Sequence, residues 1–220
     1  MKWQRARSPE QKAARRDAIL LAGARLLDRS PMADISLNAI ARESGLAKSN
    51  IYRYFSSREE IFLALLLQDI EGWATRADAL IDALPQHPHP EDIAHAMTTG
   101  MIDDPRMVRL LGQLVSVLEQ NASVDAIVDF KLRVRDLVAV QAATLTRKLP
   151  WLSLNDAIQL TYLQVALLQG MWPNHQLTPK MKQALQHPDL HQMNMSLEDA
   201  LKRSITVMIR GLRAEALGTG

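Results

Sequence analysis

Apolar residues along this chain recur at intervals of three and four almost throughout. No stretch holds the strict two-residue alternation of a half-buried strand, so the pattern predicts an all-α protein. A first helix is expected over 15–27. Ser36 then precedes Leu37, Ile40 and Ala41, which fall on one helical face, and its hydroxyl suits the amides of Asn38 or Ala39 as an N-cap. Ser44-Gly45 interrupts the run, and Gly45 suits a sharp turn because it accepts a positive φ without a Cβ clash. Leu46 follows as a plug, and another helix begins at Ala47. Ile51 and Phe55 are four apart and share its inward face. Lys48, Ser49, Asn50, Tyr52 and Arg53 are left on the outward side.

Beyond this compact beginning the periods lengthen. A long helix is expected over 58–84, broken by the prolines of Pro85-Gln86-His87-Pro88-His89-Pro90. Pro90-Glu91-Asp92 suits the first turn of the next, running to about residue 103. Asp104-Pro105 opens another to about residue 119, and 124–149 forms a further long helix that stops before Pro150. Ser153 and Asp156 have capping-box spacing and open a helix over 154–171, ended by Trp172-Pro173. A polar stretch at 174–195 has room for a short helix near 180–186. Ser196 and Asp199 cap a last helix through residue 216, before a frayed 218–220 tail. No internal repeat is visible.

Charge sharpens this division. The net charge is only +2, yet residues 1–60 hold 12 Lys/Arg against 7 Asp/Glu, and residues 61–220 hold 14 against 17. A basic head on a slightly acidic body suits a nucleic-acid reader with a separate regulatory part. Lys2, Arg5, Arg7, Lys12, Arg15 and Arg16 form an N-terminal basic cluster able to reach phosphates or the minor groove. On the outward side of the 47–55 segment, Arg and Lys suit guanine edges and phosphates, Asn an adenine edge, and hydroxyls phosphates. Cysteine is absent, so there is no disulfide framework and no thiolate zinc site. The six His include a pair four apart, His187 and His191, but Pro188 lies between them and no HExxH pattern exists. There is no Gly-rich phosphate loop. Neither an enzyme nor a metal centre is expected, and no cofactor is called for. The beginning, Met1-Lys2-Trp3-Gln4-Arg5, lacks a signal-peptide apolar stretch, and the longest apolar run, 61–67, is too short to span a bilayer. A cytoplasmic protein that does not enter the membrane is expected.

The order of residues in AIARESGLAKSNIYRYFSSREEIF, 39–62, resembles the TetR family of bacterial transcriptional regulators. Gly45-Leu46, Lys48, Ile51-Tyr52-Arg53-Tyr54-Phe55 and Ser56-Ser57-Arg58-Glu59-Glu60-Ile61 carry the likeness, which covers about residues 14–67. Ala47 stands where the family often has Ser or Thr, Pro31-Met32 where it has Gly-Phe or Gly-Tyr, and Arg58 where Lys is commoner. Arg58 keeps the charge and adds a forked donor for phosphate. The resemblance implies a helix-turn-helix DNA-binding domain at 1–57 and a helical regulatory and dimerisation domain at 58–220. It implies DNA contacts from Ser36, Lys48, Ser49, Asn50, Tyr52, Arg53, Tyr54 and Arg58. It also implies an effector pocket drawing on Trp73, Met97, Met101, Met107, Trp151, Tyr162 and Trp172.

Two helices, 154–171 and the last, are apolar on two faces and so must be buried on both. Leu160, Leu163 and Leu167, with Leu201, Ile205, Met208 and Leu212, are expected to meet a second copy in the four-helix bundle of the family. The function implied is a ligand-responsive regulator, a repressor by family default. It would bind a palindromic double-stranded DNA operator as a homodimer and be released by a small hydrophobic effector. The alternative is a DNA-binding architectural or adaptor protein without an effector, against which stand some 160 residues of buried-type helix.

Overall fold

In a computed structural model, residues 8–175, 178–193 and 196–218 are described. They are all-α, without a strand among them. The backbone groups into two compact units, residues 1–69 with 109–133, and residues 70–108 with 134–220. This grouping differs from the division at 57/58, because it joins the first turns of the long helix and the 109–133 segment to the head.

The first unit opens with α1, Pro9–Arg29, six residues earlier than expected. Ser8 caps it, accepting from the Gln11 amide at 3.3 Å, and Pro9 sits where a missing N–H does no harm. Lys12, Arg15 and Arg16 are therefore on a helix; Lys2, Arg5 and Arg7 lie outside the described residues. A 3₁₀ turn, Met32–Asp34, leads to α2, Leu37–Ser44, capped as expected by Ser36, whose Oγ accepts from the Ala39 amide at 3.2 Å. Gly45 ends α2 at φ 69°, the left-handed region where a Cβ would strain the backbone. A single helical turn, α3, Lys48–Ile51, follows, then α4, Arg58–Ala83. Leu46, Ile51 and Phe55 are all buried. Gly23 of α1 admits α4 closely: a Cβ there would meet Ile61 Cγ2 at 3.1 Å and Leu65 Cδ1 at 3.3 Å.

The start of α4 is tied down by carboxylate chemistry. Ser57 Oγ accepts from the Glu60 amide, while Glu60 Oε2 accepts from the Ser56 amide at 2.6 Å, a capping box shifted by one residue. Glu60 Oε1 accepts from both the amide and the hydroxyl of Ser123. Burial pushes this carboxyl's pKa up, but the hydrogen bonds from Ser123 and Ser56 outweigh it and hold the group below the usual carboxylate range.

The second unit contains α5, Pro90–Thr98, shorter than expected, and the start of α6, Pro105–Gly112. The helix expected to reach residue 119 gives way to a π-helical segment, Leu114–Leu118, and a short turn, α7, Glu119–Asn121. Next come α8, Val124–Lys148, α9, Leu154–His175, the short α10, Pro179–Ala184, a 3₁₀ segment, Pro188–Met193, and α11, Leu197–Ala216. The helix α9 passes through Pro173 and ends two residues later. One lost amide near a terminus removes a single ladder bond, a smaller penalty than in a helix centre. Ser153 and Ser196 cap α9 and α11 as expected, accepting from the amides of Asp156 and Asp199.

One core runs through this unit. Ile81, Ile93, Ala94, Met97, Ala142, Leu145, Leu149, Ala157, Leu160, Ile205 and Ile209 all belong to it. Lys148 closes the end of α4, its Nζ donating to the Asp82 and Leu84 carbonyls at 2.8 and 2.6 Å. A cation at this end also suits the helix dipole.

Candidate nucleic-acid interface

The head presents its polar residues as the spacing of the sequence requires. Ile51 is inaccessible, and Lys48, Ser49, Tyr52 and Arg53 on the other side of the same turn are exposed. Tyr52 is 54% exposed, with Lys48 Nζ 5.8 Å from its ring centroid. That contact holds a cation beside an aromatic hydroxyl. Asn50 and Tyr54 are half-buried. Ser36 is exposed, but its hydroxyl is engaged in capping α2.

Beside Arg53 and Tyr54 lies a groove with a volume of about 630 Å³, lined otherwise by Lys12, Ala13, Arg15 and Arg16 of α1. It collects four cationic side chains and no acid. Arg16 also lies over the Phe55 ring, 5.3 Å from its centroid, which links α1 to the segment after α3. The sequence marks these arginines only as members of a basic cluster; their helical spacing is the signal that places them together.

Arg58 is the exception. Its Nη1 donates to the carbonyls of Ala33 and Ile35 at 3.1 and 2.5 Å, with Met32 at 3.4 Å, and its Nε pairs with Glu59 at 2.8 Å. The fork expected to meet phosphate is turned onto the 3₁₀ turn ahead of α2.

The residues expected at an effector pocket separate into two groups. Trp73, Met97, Met101 and Met107 are buried, and Trp151 and Trp172 half-buried. Tyr162 is 47% exposed, on the opposite side of α9 from buried Leu160 and Gln164, so the structure does not bring it to that group. The expected dimer set divides similarly. Leu160, Leu201 and Ile205 are buried within their own chain. Met208 and Leu212 are partly buried against the core of the second unit, and Leu167 is half-buried. Leu163 is 47% exposed. The outward faces instead carry Tyr162, Leu163, Ala166 and Gly170 on α9, and Val207 and Gly211 on α11. A Cβ built on Gly170 or Gly211 meets no heavy atom within 4 Å.

No helix among the described residues is long and apolar enough to cross a membrane, and no group of three His, Cys, Asp or Glu among them is placed to hold a metal ion.

A short helix-turn-helix with an exposed basic face, joined to a larger helical unit, defines a DNA-binding regulator of the two-domain helical type. Residues 19–65 match the family of bacterial regulatory proteins named tetR, and residues 67–216 match the tetracyclin repressor-like C-terminal domain. The chain belongs to the TetR family and is a DNA-binding transcriptional regulator.

The chain is 32% identical over 84 residues to the HTH-type transcriptional regulator EthR of Mycobacterium tuberculosis, covering 38% of this chain and 37% of that protein. It thus spans little more than a third of the length of the curated relatives it matches. Among solved structures it resembles the TetR family repressor AlkX from Dietzia sp., implicated in biodegradation of n-alkanes. The TM-score is 0.57 at 15% identity, over 96% of this chain and 98% of that one. It also resembles FadR from Bacillus subtilis in complex with stearoyl-CoA, with a TM-score of 0.56 at 14% identity, over 87% and 96%. At these identities the likeness is one of fold.

Proposed function

We propose that this regulator is a repressor that binds a palindromic operator as a homodimer and is released by a small hydrophobic effector. The observation that carries the reading is the exposed set Lys48, Ser49, Tyr52 and Arg53, held over buried Ile51 and Phe55 beside the Lys12–Arg16 groove. Tyr52, Lys48 and Asn50 face base edges; Lys12, Arg16 and Arg53 meet phosphates. Two such heads read half-sites about one helical turn apart, ~34 Å.

The second copy joins through the outward faces of α9 and α11, around Tyr162, Leu163, Ala166, Gly170 and Val207. Small residues allow close approach, and the exposed Leu and Val supply apolar area. The effector enters the second unit among Trp73, Met97, Met101 and Met107. Methionine adapts to irregular apolar guests; of two regulators of similar fold, FadR is seen in complex with stearoyl-CoA and AlkX is implicated in biodegradation of n-alkanes.

The test is a gel-shift and footprint survey of genomic fragments, including the region upstream of the protein's own gene. A two-fold symmetric footprint that weakens steeply with salt supports the reading. Uniform coating of all fragments would favour an architectural role, and no binding at all would remove the operator.

A further inference from the structure

The inner face of α9 buries two polar residues, Thr161, whose hydroxyl donates to the Ala157 carbonyl of the same helix at 2.9 Å, and Gln164. Leu160 and Leu168 are buried there one turn to either side, and between them Gln164 is completely buried. Its amide nitrogen is fully used. Nε2 donates to the Met97 carbonyl in the last turn of α5 at 2.6 Å, and lies 3.5 Å from Met101 Sδ. The nitrogen therefore ties α9 to the end of α5, and this bond fixes which end of the amide is which. The carbonyl end has no such role: among the described residues nothing donates to Gln164 Oε1. A buried amide oxygen without a donor is costly, and leucine would fill the same volume without that cost. The tie to Met97 explains the nitrogen and leaves the oxygen unexplained. Met97, whose backbone carbonyl meets this amide, and Met101, whose sulfur does, are both buried, and methionine is the most deformable apolar type.

From this we infer that Gln164 Oε1 is the polar anchor of the effector site, and that the effector is an uncharged amphipathic molecule whose head carries a hydrogen-bond donor. A primary amide or an alcohol meets that description. A carboxylate does not, because it would set anionic oxygens against an amide oxygen in an apolar surround. An ester does not, because it brings only acceptors. The chain of such a molecule lies along the Met97 and Met101 side chains. This deepens the effector reading above and rests on it.

The experiment compares four probes of equal chain length at pH 8: decanamide, decanol, decanoate and methyl decanoate. Each is titrated into the full-length protein by calorimetry, and in parallel into the protein–operator complex followed by fluorescence anisotropy. Decanamide and decanol are expected to bind at least about tenfold more tightly than methyl decanoate or decanoate, the discrimination a single buried hydrogen bond supplies. They should release DNA in the same order. In Gln164→Leu, decanol and methyl decanoate should become equivalent. Gln164→Met is the second variant should leucine perturb folding, and circular dichroism checks both. Equal binding of donor and acceptor heads in the native protein, or a preference that survives in both variants, overturns the anchor while leaving an apolar effector in place. Failure of all four probes to bind, with operator binding intact, overturns the anchor and the effector reading together. Loss of operator binding in the native protein overturns the DNA reading by itself.

Discussion

The helix-turn-helix head and the α9–α11 pair are built from the same periodicity, yet they differ in how much a side chain's neighbours constrain it. In the helix-turn-helix, α2 and α3 are short and each buries one face. Ile51 and Phe55 can only point inward, and Lys48, Ser49 and Tyr52 are then forced outward. In α9 the apolar residues occupy two faces. Leu160 and Leu163 are equally hydrophobic and three apart, but one is 1% exposed and the other 47%. Amphipathicity assigns a direction only where a polar face exists to oppose it. Where both sides are apolar, the packing of the remaining helices decides which is inner, and that information is not local.

The sharpest way to break this comparison is to truncate both faces of the body. Leu201→Ala should destabilise the protein by about 2–5 kcal/mol, as for other large-to-small core changes, because Leu201 is wholly buried in its own chain. Leu163→Glu should leave the melt of the isolated chain nearly unchanged and instead shift sedimentation from dimer to monomer at micromolar concentration. If Leu201→Ala dissociated the protein without destabilising it, the assignment of inner and outer faces would be reversed.

A smaller effect tests what holds the head in place. Glu60→Gln removes the charge from a carboxylate that binds Ser56 and Ser123, and should lower stability by roughly 1.5–3 kcal/mol, the range for hydrogen bonds to charged groups. Because the folded-state pKa is depressed, the contribution is present above the ordinary carboxylate pKa and is lost as pH falls through the lower folded value. Urea melts of the two proteins at pH 7 and in strong acid should therefore converge in acid.

The smallest effect lies in the second half of α4. Asp78 has one carboxylate oxygen buried without a hydrogen bond. Its pKa is raised to about 6 by burial and by the charge of Asp82, against the opposing pull of Arg147. A raised acid favours the folded state below its unfolded pKa and loses that advantage as pH rises through 6. Asp78→Asn should thus raise the melting temperature at pH 8 and change it little near pH 3.5, below the ordinary aspartate value. An equal gain at both values would mean that the charge is not the cause.

The reach of the sequence follows the same division. The turn at Gly45, the cap at Ser36 and the outward set around Tyr52 were legible because each depends on residues within four positions. The charge of Arg58 is visible in the sequence, but its partners, the carbonyls of Ala33 and Ile35, are 25 and 23 residues away and no local pattern shows them. The helix α1 starts at Pro9 because Ser8-Pro9-Glu10 combines a cap, a proline in the first turn and an acid near the positive helix end. The residue type of Tyr162 suits a pocket, but which side of α9 it takes is set by the packing of other helices, and it is 47% exposed. Gln164 carried a visible signal, an amide in the register of Leu160 and Leu168, but only the fold says that its oxygen lacks a donor.

The outward turn of the head is proposed to read DNA. Its most direct test is equilibrium binding of the native protein, Lys48→Ala and Tyr52→Ala to a footprinted operator fragment, with a thermal melt of each. Each substitution should cost about 1–3 kcal/mol of specific binding with an unchanged melt, since both side chains are exposed. Native affinity in both variants, with the operator footprint undisturbed, would contradict it.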